Sequence, residues 1–112
     1  MAYSDLEEAR RYHGALKSII ARHAGESADL RALRRVSDLC RGAADAVSDP
    51  YCREKIRLAA EFSAELLAHG EHARWRRRTL SGVEFLKQQA LDALDLFLSR
   101  IYSLELNRTR RV

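Results

Sequence analysis

Apolar residues return every three or four positions along most of this chain, the period of an α-helix, and polar breaks divide the pattern into four segments. In the first, Leu6, Ala9, His13, Leu16 and Ile20 follow Ser4 and Glu7, which read as a capping box, and the run stops at Gly25, placed as a C′ residue. Ser27 can cap the second, whose stripe is Leu33, Val36, Cys40, Ala43 and Val47. Asp49-Pro50 then acts as stop and start together, with Asp as N-cap and Pro at the first helical position. The third stripe is Ile56, Ala59, Ala60, Ser63, Leu66 and Leu67, ending at Gly70, and a second capping box, Ser81 with Glu84, opens the fourth. Helices are thus predicted near 4–24, 28–48, 50–69 and 81–106. Their connections are short apart from 71–80, which implies antiparallel neighbours. The predicted fold is all-α: an antiparallel up-down-up-down four-helix bundle, residues 1–106, followed by a basic tail, 107–112.

The fourth segment departs from the ordinary amphipathic pattern. At 100° per residue, Glu84, Gln88, Asp92, Asp95, Ser99 and Ser103 form one narrow polar stripe. Fourteen of the 24 residues from Val83 to Leu106 are apolar, and they reach that stripe from both sides, Phe85 and Leu96 on one and Leu91 and Leu98 on the other. A surface helix needs an apolar arc of only about 100° or somewhat more. The first three helices are rich in Ala at inward positions, which makes the fourth the expected centre of the core. Each of those four bordering side chains left in water forgoes about 1.5–3 kcal/mol of burial. A homo-oligomer, a dimer through the C-terminal helix, is therefore expected, with Phe85, Leu91, Leu96 and Leu98 in the interface.

Composition bounds the class. At 112 residues the chain makes one domain with a real core, and 46% apolar content with a single Pro and five Gly suits a helical protein rather than a disordered one. No run approaches the roughly 18 uncharged apolar residues of a membrane span, and the acidic N-terminal residues lack a signal peptide's regions, so no membrane partner and a cytoplasmic location are expected. Two cysteines do not make a disulfide framework. In a hairpin pivoting at Asp49-Pro50, Cys40 and Cys52 are offset by roughly 9 Å at 1.5 Å per residue, beyond the ~7 Å a bridge allows. Cys40 reads as a small buried side chain. Cys52, in the first turn of its helix, is placed where a thiol pKa can be lowered, yet no His partner is visible.

Charge is divided unevenly. Residues 1–70 carry 11 basic and 11 acidic side chains, whereas 71–112 carry 9 basic and 5 acidic, so the net +4 comes entirely from the last 42 residues. It concentrates in Arg74, Arg76, Arg77 and Arg78 around Trp75, and in Arg108, Arg110 and Arg111. Arginine binds phosphate bidentately and stacks on rings, and Trp75 can lie on a base or a partner surface. The two clusters bracket a helix and lie about 35–40 Å apart at 1.5 Å per residue, two small patches rather than one groove.

Catalytic patterns are missing: no phosphate loop, no nucleophile elbow, no His-Glu-x-x-His. Glu61 and Glu65 with Arg57 read as a solvated face. His13-Gly14-Ala15-Leu16-Lys17 is out of register with the histidine phosphotransfer motif, which places Leu and Lys one position earlier and follows the Lys with Gly, whereas Ser18 follows it here. His23, His69, His72 and Glu65 fall toward one end of the bundle and form a weak candidate metal set, but cations near helix C-termini have an ordinary electrostatic cause. Tyr3, Tyr51 and Tyr102 are expected to gather at the opposite end. The expected function is a non-catalytic helical adaptor or regulator, without cofactor, acting through self-association and an unidentified protein partner. The alternative is a nucleic-acid-binding bundle using Arg74–Arg78 and the basic tail.

Overall fold

The computed structural model describes residues 5–22, 30–71 and 80–110, and within them the protein is helical with no strand. The helices are α1 (Leu6–Ala21), α2 (Leu30–Arg34), α3 (Val36–Ala46), α4 (Pro50–Glu71) and α5 (Leu80–Arg110). Only Arg35 separates α2 from α3. Its N–H donates to the Ala32 carbonyl at 3.0 Å, a tight i−3 turn, and its own carbonyl accepts from Leu39 at 3.1 Å as α3 begins. The second predicted helix is therefore one arm with a bend, and the chain counts as four helices.

Local chemistry accounts for the ends. α1 is capped by Asp5, whose carboxylate accepts from the Glu8 N–H at 3.0 Å, so the cap falls one residue after the expected Ser4. At the other end Arg22 is the C-cap; Gly25 and Ser27, the expected stop and start, lie outside the described residues. Asp49 caps α4 as predicted, accepting from the Cys52 N–H at 3.0 Å, while its carbonyl receives the Arg53 N–H at 3.1 Å. Two boundaries are corrected. Gly70 is helical and does not end α4, and Ser81 lies within α5 rather than capping it. α5 also runs four residues past the expected end, to Arg110, which makes it about 46 Å long at 1.5 Å per residue.

Burial follows the sequence stripes of the first three segments closely. Leu6, Ala9, His13, Leu16 and Ile20 are the buried residues of α1. Leu33, Val36, Cys40, Ala43, Ala46 and Val47 line the second arm; Cys52, Ile56, Ala59, Ser63 and Leu66 line α4, with Ala60 and Leu67 half-buried. From α5 come Leu86, Ala90, Ala93, Leu94, Phe97 and Ile101. Alanine at six of the buried sites lets the backbones come close. The approach is closest at Gly42, where a Cβ would lie 2.5 Å from Cζ and Oη of Tyr12. α5 packs most extensively on α4 and also against α1; α3 bridges α1 and α4. The principal extents are 57 × 21 × 19 Å.

Candidate interaction surface on the C-terminal helix

The buried residues of α5 span about 100° of its circumference, and all six members of the predicted polar stripe, Glu84 to Ser103, are exposed on the other side. Between these arcs the four expected interface residues divide. Phe85 is 60% exposed and Leu96 44%. Leu91 and Leu98 are half-buried, and Leu91 packs against the chain's own core. Sequence reasoning missed Tyr102 and Leu106, which are 53% and 55% exposed on the last turns of the same helix. Four large apolar or aromatic side chains thus stand in water along one element. Polar groups separate them: Gln88 donates to Asp92 at 2.8 Å on the face between Phe85 and Leu96.

Two polar junctions hold α5 in place, and neither was legible beforehand. Arg100 reaches Asp49 with both Nε (3.2 Å) and Nη2 (3.0 Å), a bidentate clasp across 51 residues of sequence. Asp49 therefore caps α4 and anchors α5 at once, and the Arg100 hydrogen bonds hold its carboxyl below the usual range. Arg53 completes the corner by donating from Nε to the Val47 carbonyl at 3.1 Å. The second junction joins α1 to α5. Arg10 pairs with Glu105 at 3.0 Å; Lys17 approaches Asp95 at 3.6 Å, and the buried His13 lies 3.8 Å from the same carboxylate oxygen. A sequence signal existed for one partner in each junction, the cap Asp49 and the stripe residue His13. The far partner depends on how helices meet in space.

The remaining candidates fall as follows. Both cysteines are free and buried, and burial pushes each thiol up to about 12; for Cys52 the neighbouring Asp49 carboxylate adds to the effect. The lowered pKa expected for Cys52 is thus corrected, because a dry site beside an anion outweighs the helix terminus. Tyr51 and Tyr102, each two residues from the Asp49–Arg100 clasp, lie at one end as expected and are exposed there, and Lys55 Nζ sits 5.1 Å over the Tyr51 ring. Tyr3 lies outside the described residues. Arg57 pairs with Glu54 and Glu61 on an exposed face, as expected of a solvated helix side.

Arg74, Trp75, Arg76, Arg77, Arg78 and Arg111 also lie outside the described residues, as do His23 and His72. Arg108 and Arg110 fall in the last turn of α5, and His69 in that of α4, without described side chains. Glu65 is exposed, and no group of three or more metal-ligating side chains occurs among the described residues. No helix among them is long and apolar enough to cross a membrane. Comparison of the chain with protein-family models, with curated proteins and with solved structures yields no match.

Proposed function

We propose that this chain is a non-catalytic helical interaction module, an up-down-up-down antiparallel bundle that self-associates through α5 and acts by protein–protein contact. Residue pairings support the antiparallel arrangement. Advancing from Arg10 to Lys17 along α1 moves back from Glu105 to Asp95 along α5, and advancing from Asp5 to Tyr12 moves back from Ala46 to Gly42 along α3. The three residues between α3 and α4 are a short connection of the kind that joins antiparallel neighbours.

The observation that carries self-association is the exposure of Phe85, Leu96 and Leu106 on a helix whose opposite arc is already committed to the core. Their spacing suits a second copy. Phe85 lies 11 residues before Leu96 and Leu106 lies 10 after it, within an arc of about 80°. Two α5 helices crossing antiparallel about a two-fold axis at Leu96 would set Leu96 against Leu96 and Phe85 against Leu106 at either end, a self-complementary interface. The Asp92 and Asp95 carboxylates of the two copies would approach near the axis, so screening should favour association.

Light scattering tests this at tens of micromolar protein, in low and in physiological salt. A dimer that strengthens with salt, and that Leu96→Glu or Phe85→Glu converts to a folded monomer, is the expected result. A wild-type monomer under both conditions overturns the proposal. Leu91→Glu is not a fair probe of the interface, because Leu91 contacts the chain's own core. Salt also separates this reading from phosphate-backbone binding by the arginines, which weakens steeply as salt rises.

A further inference from the structure

The buried imidazole of His13 lies on the seam between α1 and α5. It occupies a position in the apolar stripe of α1 and is 6% exposed, one of two buried polar side chains among the described residues. Its Nε2 is sealed from solvent and has no hydrogen-bond partner; the Asp95 carboxylate oxygen 3.8 Å away is too distant to serve. That oxygen is already claimed from the solvent side by Lys17, one turn further along α1, at 3.6 Å.

A neutral ring tolerates this setting at modest cost, since only one buried nitrogen lacks a partner. An imidazolium does not, because its new charge would sit in a dry seam facing one half-exposed anion that already has a cation beside it. Asp95 from α5 and Lys17 from its own helix are the charged groups that act on the ring, and Lys17 opposes its protonation while Asp95 favours it. On the opposite flank of α1, α3 contributes the Cys40 thiol to the core, neutral throughout because burial pushes it up to about 12, and α2 contributes the apolar Leu33.

We propose that His13 makes the α1–α5 seam an acid-released latch: closed around the neutral ring, and opened as the ring takes a proton, so that α1 loosens and uncovers the apolar surface of α5 beneath it. The inference is independent of self-association, since the seam lies inside one chain. Its sign is fixed by linkage. Burial, then Lys17, hold the folded-state pKa below the ordinary value of 6.5, so the unfolded chain binds more protons, and stability falls as pH drops below about 6.5. One proton limits the effect to about a ten-fold loss in the folding constant per pH unit, down to the folded-state pKa.

The test is urea unfolding at pH 7.5 and 5.5, with native-state amide exchange expressed as protection factors. Wild type should lose up to about ten-fold in its folding constant across that window, with protection lost first in α1. His13→Leu, which suits the stripe, and His13→Gln, which keeps its size, should flatten the response; whichever of the two folds suffices. Lys17→Gln should shrink the wild-type loss by removing the repelling cation. Asp95→Asn should bring the loss closer to the ten-fold limit by removing the carboxylate that favours the protonated ring. An equal loss in the His13 variant overturns the proposal, as does protection lost uniformly across all helices.

Discussion

Replacing Phe97 by Ala removes the largest fully buried side chain among the described residues. Phe85, twelve residues earlier on the same helix, is 60% exposed. Twelve residues at 100° each place the two rings a third of a turn apart, so one chemical change probes two environments on one rigid element. At Phe97 the loss combines the transfer of a whole ring with the cavity left among close-packed neighbours, typically 3–5 kcal/mol. Against a total stability of about 5–15 kcal/mol for a domain of this kind, that is a large fraction. At Phe85 less than half of the ring is covered, so the transfer loss is near 1 kcal/mol, no closed cavity forms, and Ala regains a few tenths through helix propensity.

Urea unfolding followed by far-ultraviolet circular dichroism reads both variants, at low micromolar protein so that any association contributes little. Phe97→Ala should lose at least three times as much stability as Phe85→Ala, and its melting temperature should fall by about 12 °C or more, taking ~4 °C per kcal/mol. Equal losses, or a larger loss at Phe85, would refute the orientation of α5 and with it the surface assigned to that helix.

Three further outcomes follow from the packing. Gly42→Ala should destabilise the protein by about 1–3 kcal/mol, because its Cβ would meet the Tyr12 ring. In a Tyr12→Ala background the same change should be neutral or stabilising by up to about 1 kcal/mol, the gain in helix propensity, and an unchanged sign there would show that the contact is not the cause. Arg100 holds the Asp49 carboxyl below the usual range, so its contribution is present above the unfolded pKa of about 3.9 and is lost as pH falls through the folded value. Stability curves of wild type and Asp49→Asn should therefore converge on acidification below about pH 4, and curves that stay parallel would exclude the ion pair. Finally, both thiols are buried with pKa pushed up to about 12, so alkylation at pH 8 should track global unfolding, and rapid labelling of native Cys52 would contradict its burial.

How much of this was legible in the chain follows from the range of the interactions. The sequence by itself determined the helical class and most of the buried stripes of the first three helices, because a 3.6-residue period records which side of each helix avoids water; in the fourth, apolar around most of its circumference, the same period did not single out Leu86, Ala90, Ala93, Leu94, Phe97 and Ile101. The five stripe positions of α1 and the Asp49-Pro50 corner are local facts, settled by neighbours within a few residues. Caps depend on subtler local competition, which is why Asp5 displaced Ser4 and why Ser81 was absorbed into α5 once packing favoured a longer helix. Tertiary structure alone decided how much of the fourth helix its own chain could cover. It packed the half-buried Leu91 against the core and left Phe85, Leu96, Tyr102 and Leu106 in water, since the apolar arc exceeds what α1 and α4 can reach. It also decided the meeting of Arg100 with Asp49 and of His13 with Asp95. Those partners are separated by 51 and 82 positions along the chain, and only helix packing, which no local pattern encodes, sets their distance.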